Sequence, residues 1–209
     1  MTRLHAHPIR VVLRFVASVM MVSGVLLISD AVLTQTWQEP VSAYFSERQQ
    51  IKLEKALIHP PDRVVEKKPL RGDAIGKILI PSIGVSEYVV EGTDADNLRK
   101  GPGHYPDTPL PGQHGTSAIA GHRTTYGAPF RHLNDVHKRD RVILEMPYGT
   151  FVYRVERTQV VDDSALWVTD KVDHDRLVLT ACHPLYSAAQ RIVAFARLTE
   201  RRPATVRKA

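Results

Sequence analysis

Cys182 is the residue of this 209-residue chain on which nucleophilic chemistry would depend. It is the only cysteine in the sequence, so it is either an inert buried residue or a free reactive thiol. It ends an apolar run, residues 177–182, and His183-Pro184 follows, where a regular strand cannot continue unaltered. We therefore expect the thiol at the rim of a sheet, where a ligand can reach it.

Two further residues would complete a nucleophilic site. His122 ends a second predicted strand, residues 117–122, and Arg191 begins the strand that follows Cys182. At the rim of one sheet, the thiolate would be the nucleophile and the imidazole would transfer protons. The guanidinium would stabilise an oxyanion or bind a carboxylate.

The sequence around these residues resembles the three motifs of the sortases, which are membrane-anchored transpeptidases of Gram-positive bacteria. Residues 119–127 (IAGHRTTYG), 179–184 (LTACHP) and 190–191 (QR) match the histidine, cysteine and arginine motifs in the right order. The sequences GHRTTYG (residues 121–127), CHP (182–184) and AAQR (188–191) are most similar to those of class E, the housekeeping type of many actinobacteria. The resemblance covers residues 72–199.

The resemblance implies a thioacyl mechanism. Cys182 would attack the threonine carbonyl of a C-terminal Leu-x-x-Thr-Gly sorting signal, and His122 would protonate the departing glycine amine. Arg191 would bind the oxyanion or hold substrate carbonyls. The acceptor would be an amine of a peptidoglycan precursor, and class E members tend to prefer alanine over proline at the second position of the signal. No cofactor and no metal is implied.

Several neighbours of the three motifs are candidate substrate-binding residues. Tyr105 and Tyr126 flank the His122 strand, so each is either a packing residue at the rim or a determinant of the second position of the signal. His183 is either a polar residue at a strand end or a contact to substrate. The full candidate set consists of Tyr105, Tyr126, Thr180, Ala181 and His183. His104 is expected in a loop or on the surface, and the histidine spacings match no metal-binding motif.

Two departures from the family pattern matter. The usual Thr-Leu-x-Thr-Cys sequence has threonine where this chain has Val178 and Ala181. The second change removes a hydroxyl next to the nucleophile and is expected to affect substrate contact or oxyanion support. Residues 39–75 contain no Asp-Pro-aromatic lid motif, which favours single attachment of proteins over fibre assembly. A pilin-joining enzyme, a mainly hydrolytic relative and a non-catalytic anchored binding module remain alternatives.

Short β runs separated by Gly and Pro predict the fold that positions these residues. At least seven strands are expected between residues 72 and 199, together with short helices, which indicates an all-β, sortase-like closed barrel of seven to eight strands. Residues 177–182 are apolar throughout, which predicts a strand buried on both faces. Trp167 is expected to cover the barrel or to border a groove.

An apolar segment near the N-terminus predicts one transmembrane helix over residues 11–33. Arg3, Arg10 and Arg14 lie before or at its start, so residues 1–10 are expected in the cytoplasm and the barrel outside the cell. A cleaved signal peptide is the main rival interpretation. Residues 34–71 are polar and proline-rich, which predicts a stalk with a helix over residues 46–58 and a linker over residues 59–71.

The charge distribution argues against nucleic-acid binding. The net charge is +6, but residues 1–38 hold +2 of it and residues 199–209 hold +3, so the body of the chain is nearly neutral. No interleaving of basic and aromatic residues appears. Residues 200–209 are predicted to form a solvated basic tail.

Overall fold

The computed structural model describes residues 8–36 and 40–204. The chain divides into two compact units, Met1–Pro40 and Val41–Ala209. In the first unit, helix α1 (Pro8–Thr36) contains the apolar stretch Ile9–Leu33, which has a mean hydropathy of 2.4 and no buried residues in its most apolar window. By length and composition this helix could cross a membrane, although a signal sequence would have the same character. Residues 1–7, part of the predicted cytoplasmic segment, lie outside the described residues.

The second unit is a closed barrel of eight strands, as predicted. The strand order is β1-β2-β3-β4-β7-β8-β6-β5, and pairing between β5 and β1 closes the barrel. All strand pairs are antiparallel except β2 with β3 and β4 with β7. The strands are β1 (Ala74–Ile80), β2 (Val85–Glu91), β3 (Gly103–His104), β4 (Thr116–Ala120), β5 (Arg141–Met146), β6 (Gly149–Asp162), β7 (Arg176–His183) and β8 (Gln190–Pro203).

Strand β7 is buried on both faces because each face packs against a different cluster. Leu177, Leu179 and Ala181 lie in the core inside the barrel. Val178 lies in an outer cluster that also contains Val193, Val168, Ala118 and Phe195. The connection between β6 and β7 covers this outer cluster with a 3₁₀ helix, Leu166–Thr169, whose Trp167 ring stacks on Phe195 at a centroid distance of 6.0 Å. Trp167 therefore covers the outer face of the barrel, which is one of the two positions predicted for it.

Helix α2 (Pro40–Ile58) packs against the barrel, which differs from the stalk predicted for residues 34–71. Leu53 is buried in a cluster with Ala74 and Val90. Gln50 accepts a hydrogen bond from the Tyr88 backbone N–H (2.6 Å) and donates one to the Tyr88 carbonyl (3.0 Å). The contact face of α2 is polar along half its length, so a search for apolar periodicity does not detect it.

The remainder of the predicted linker and part of the predicted tail also belong to this unit. A short helix, α3 (Asp62–Val65), carries Arg63, whose guanidinium makes two 2.7 Å hydrogen bonds to the Asp73 carboxylate just before β1. At the other end, β8 continues to Pro203, and Arg201 forms an ion pair with Asp175. Residues 205–209 of the predicted tail lie outside the described residues.

His104 is a core residue and not the loop or surface residue that the sequence predicted. Its side chain is 1% exposed and lies in β3, which has only two residues and therefore no recognisable periodicity. Its Nδ1 lies 2.9 Å from a carboxylate oxygen of the buried Glu91, and its Nε2 lies 3.1 Å from the Pro109 carbonyl. These bonds join β2, β3 and the loop that precedes β4.

Candidate active site

Cys182 and Arg191 lie directly opposite each other on the antiparallel strands β7 and β8. Side chains of directly opposed residues point to the same face of a sheet and have Cβ atoms roughly 5 Å apart. The guanidinium of Arg191 donates to the carbonyls of Ala188 (2.7 Å) and Gln190 (2.9 Å), which holds it at the end of the β7–β8 connection. The thiol of Cys182 is free and half-buried. Both residues therefore lie at the rim of the sheet, where the sequence predicted them.

His122 reaches the same edge of the barrel because β4 runs parallel to β7. Ala120 is paired with Thr180, and the Gly121 backbone N–H donates to the Thr180 carbonyl over 3.0 Å. Parallel strands end at the same edge, so His122 leaves β4 beside the end of β7. Gly121 is needed at this point, because a Cβ there would lie 2.5 Å from the ring of the buried Phe130.

The surroundings of His122 favour its neutral form. Burial lowers the pKa of the imidazole below its usual value, and the positive charge of Arg99 lowers it further. The His122 ring lies 5.1 Å from the Tyr126 ring, centroid to centroid. Arg99 lies over the same tyrosine ring, with its guanidinium carbon 5.8 Å from the centroid. Tyr126 therefore packs against the imidazole, and Arg99 lies on the same tyrosine ring, close enough for its charge to act on His122.

Replacing Arg99 with methionine is expected to raise the pKa of His122, because the substitution removes a positive charge that opposes protonation of the ring. Histidine NMR titration of the two proteins measures this shift directly. Lys138→Met, which removes an exposed positive charge from the turn before β5, is the control and should leave the titration unchanged. A His122 pKa that stays the same or falls in Arg99→Met would contradict the prediction.

A cavity of about 610 Å³ lies on the outer face of the sheet next to this edge. Its lining includes Tyr105, Thr180 and Arg191, together with Leu166 and Val168 from the β6–β7 connection. The Tyr105 hydroxyl lies 3.2 Å from the Thr180 hydroxyl oxygen. Two of the predicted substrate-binding residues therefore meet in one groove, and Arg191 connects the groove to Cys182.

Ala181 does not face this groove. Its side chain is 3% exposed and belongs to the core inside the barrel, because consecutive residues of a strand point to opposite faces. The structure therefore corrects the expectation that the Ala181 side chain contacts substrate. The hydroxyl that the usual threonine would carry is lost from the interior of the barrel.

Arg123 is the site residue that reasoning from the sequence did not detect. It is 4% exposed, and its guanidinium donates to the Asn134 side-chain oxygen (2.7 Å) and to the carbonyls of Cys182 and Arg131 (3.3 Å each). It also lies 3.0 Å from Nδ1 of His183. The predicted substrate residue His183 is thus held by Arg123. The position of Arg123 directly after His122 was the only signal, and a charged loop residue is ordinarily exposed.

A second, smaller cavity of about 360 Å³ adjoins Cys182 on the side of the β7–β8 connection. Arg123 and Thr124 form one wall, and Tyr186, Ser187 and Ala188 form the other. Cys182 therefore borders this cavity, while its neighbours Thr180 and Arg191 border the larger groove.

Comparison with known protein families identifies the family of the barrel. The family model described as the Sortase domain matches residues 78–199, which is more than half of the chain and includes His122, Cys182 and Arg191. The chain belongs to the sortase family. Helices α1 and α2 of this sortase lie before the matched region.

Two of the curated relatives that this sortase matches are a Sortase D and a Sortase SrtE1. Sortase D of Bacillus subtilis is 40% identical over 118 residues, which cover 56% of this chain and 58% of that protein. Sortase SrtE1 of Streptomyces coelicolor is 28% identical over 148 residues, which cover 63% of this chain and 42% of that protein. The chain thus matches about half the length of these relatives.

Solved structures agree at the level of the fold. Sortase E from Streptomyces avermitilis is 30% identical and superposes with a TM-score of 0.61, covering 68% of this sortase and 97% of that chain. A Clostridium perfringens sortase D5 superposes with a TM-score of 0.65 at 22% identity, covering 75% of this sortase and 99% of that chain. The family model and the solved structures therefore agree that the barrel belongs to the part of the chain that the family shares.

Proposed function

We propose that this sortase is a membrane-anchored cysteine transpeptidase that cleaves a C-terminal sorting signal of the Leu-Ala-x-Thr-Gly or Leu-Pro-x-Thr-Gly type between threonine and glycine. The substrate protein that carried the signal would then be transferred to the amine of a peptidoglycan precursor. The observation that carries this proposal is the direct pairing of Cys182 with Arg191 at the edge where His122 also leaves its strand.

In the first step, the Cys182 sulfur attacks the carbonyl carbon of threonine, and Arg191 stabilises the negative charge that develops on the carbonyl oxygen. The bond between threonine and glycine then breaks as His122 donates a proton to the glycine nitrogen. The acyl part of the signal remains on Cys182 as a thioester, and the C-terminal fragment leaves.

In the second step, the acceptor amine attacks the thioester while His122 takes a proton from its nitrogen. An amide bond forms, and the sulfur leaves as a thiolate. The step requires a neutral imidazole, which the lowered pKa of His122 favours. The first step requires the imidazolium, so only a minor population of the resting enzyme would be competent for attack.

The larger groove, which Thr180 and Arg191 border, is the proposed binding site for the sorting signal. The hydroxyls of Tyr105 and Thr180 supply polar contacts there, while Leu166 and Val168 supply apolar surface. The motif resemblance supports a class E-like enzyme, which would prefer alanine at the second position of the signal. The higher identity to Sortase D of Bacillus subtilis makes class D the second candidate.

The proposed location is the cell membrane, with α1 as a single span, the N-terminus in the cytoplasm and the barrel facing the cell wall. The apolar stretch Ile9–Leu33 is long enough to span a bilayer. The arginines at positions 3, 10 and 14 support the orientation. The proposed partners are proteins that carry sorting signals and the precursor amine.

The proposal is tested with the full chain in detergent micelles. Leu-Ala-x-Thr-Gly and Leu-Pro-x-Thr-Gly peptides are each incubated with and without hydroxylamine or a peptide that has an N-terminal glycine, and mass spectrometry follows the products. We expect a covalent acyl adduct on Cys182 and a transfer product, with faster turnover of the alanine peptide. Cleavage without transfer would indicate a hydrolase. The absence of both cleavage and adduct across the panel would refute the proposal.

A further inference from the structure

The loop after His122 has an unusual backbone conformation. Three successive residues, Tyr126, Gly127 and Ala128, have φ angles of 51°, 75° and 44°. This left-handed region is unfavourable for residues that carry a Cβ, so two of the three positions are strained. Such a conformation persists only where the surrounding structure imposes it. The contacts of this loop therefore identify what holds it in place.

The buried face of α2 supplies those contacts. The Ser42 hydroxyl oxygen accepts a 2.8 Å hydrogen bond from the Tyr126 backbone N–H. The Ser46 hydroxyl oxygen lies 3.3 Å from the point that a Cβ on Gly127 would occupy, so helix and loop are in close contact there. Ser42 is 8% exposed and Ser46 is 4% exposed. One turn of α2 thus packs on the strained part of the loop.

The same face of α2 is attached to the barrel farther along the helix. Ser42, Ser46, Gln50 and Leu53 follow one another at intervals of four, four and three residues, which places them on one side of a helix. Gln50 bonds to the backbone of Tyr88 and donates to the Lys100 carbonyl over 2.8 Å. The serines are therefore presented to the loop by a helix that is fixed at its other half.

Tyr126 connects this contact to the proposed catalytic machinery, because its ring lies 5.1 Å from the His122 ring. We propose that Ser42 and Ser46 are positioning residues for His122, which act by holding the backbone of residues 126–128 and thereby the Tyr126 ring against the imidazole. This inference rests on the proposed transpeptidase function for its kinetic consequence. Its structural part concerns only the orientation of His122.

The test compares Ser42→Ala with the wild-type chain in two ways. In the peptide-transfer assay, kcat is expected to fall about tenfold with little change in KM, because the binding groove lies on other elements. In NMR spectra, the Tyr126 amide should exchange faster with solvent, and the ring resonances of His122 should shift or broaden. Ser42→Thr keeps the hydroxyl and should keep kcat within about threefold of wild type. Ser86→Ala, at an exposed position of β2, is the matched control.

Two outcomes would overturn the inference. One is a kcat of Ser42→Ala within twofold of wild type while the Tyr126 amide exchanges faster. The other is an unchanged His122 spectrum in that variant. A wild-type chain that transfers no peptide would refute the proposed function, while the His122 spectrum would still decide whether Ser42 positions the ring.

Gly127→Ala tests the same contact from the loop side and serves if Ser42→Ala does not fold. An alanine at this position would be strained by the positive φ, and its Cβ would lie 3.3 Å from the Ser46 hydroxyl oxygen. We expect the same pattern, a lower kcat with an unchanged KM and an altered His122 spectrum. An unaltered His122 spectrum would contradict the proposed positioning role.

Discussion

Replacing Cys182 with alanine is expected to abolish covalent capture of a sorting peptide and to lower transfer activity by at least about 10⁴-fold. No other thiol exists in the chain. The remaining residues at this edge of the barrel could bind the peptide and polarise its carbonyl, but they could not form an acyl intermediate. Mass spectrometry of the protein after incubation with peptide measures the adduct, and the rate of peptide transfer measures the loss.

Cys182→Ser is the informative companion variant. A serine hydroxyl has a far higher pKa than a thiol, so it needs a base to remove its proton. The lowered pKa of His122 makes the imidazole a weak base, so the Cys182→Ser variant should also be nearly inactive. Cys182 is half-buried, and both substitutions are small, so the melting temperature should change by only about 2 °C. Substantial transfer activity in the alanine variant would place the nucleophile elsewhere and refute the proposed mechanism.

Replacing Arg123 with methionine is expected to reduce both stability and activity. The substitution leaves the Asn134 side-chain oxygen and the carbonyls of Cys182 and Arg131 without their guanidinium donor. Asn134 is exposed, so water can replace its lost donor, whereas each of the two partly buried carbonyls costs about 1 kcal/mol when it loses its donor, so the free energy of unfolding should fall by about 2 kcal/mol. Because one of the bonds holds the Cys182 backbone, transfer activity should fall by about 10²-fold. Urea unfolding and the peptide-transfer assay measure the two effects.

Arg123→Lys distinguishes loss of the guanidinium from loss of charge. A lysine ammonium keeps the positive charge but cannot reproduce a planar fork that reaches several acceptors at once. We therefore expect this variant to lie close to Arg123→Met in stability. Wild-type stability in Arg123→Lys would show that charge alone is sufficient and would contradict the role assigned to the hydrogen bonds.

The strands of the barrel were predictable because alternating and continuous apolar runs have periods that a sequence displays. The one strand without a run is β3, whose two residues lie in a stretch that was predicted as a loop. Helix α2 was expected, but its packing was not, since its contacts are made by Ser42, Ser46 and Gln50 as well as by Leu53. Polar contact faces leave no hydropathy signal.

The sequence by itself determined which chemistry is possible. A single cysteine two residues before a proline, a histidine at a strand end and an arginine at a strand start limit the site to a thiol, an imidazole and a guanidinium at a sheet rim. Their motifs also indicate the family. These features are local, so they are visible without knowing which strands are neighbours.

The tertiary structure decided how these residues meet and what supports them. Parallel pairing of β4 with β7 brings His122 beside a strand that begins more than fifty residues later, and strand alternation turns Ala181 into the core. Arg123, which the sequence alone suggests is a surface charge, is buried and donates a hydrogen bond to the Cys182 carbonyl. Long-range pairing and burial depend on contacts between distant segments, and no local pattern in the chain specifies them.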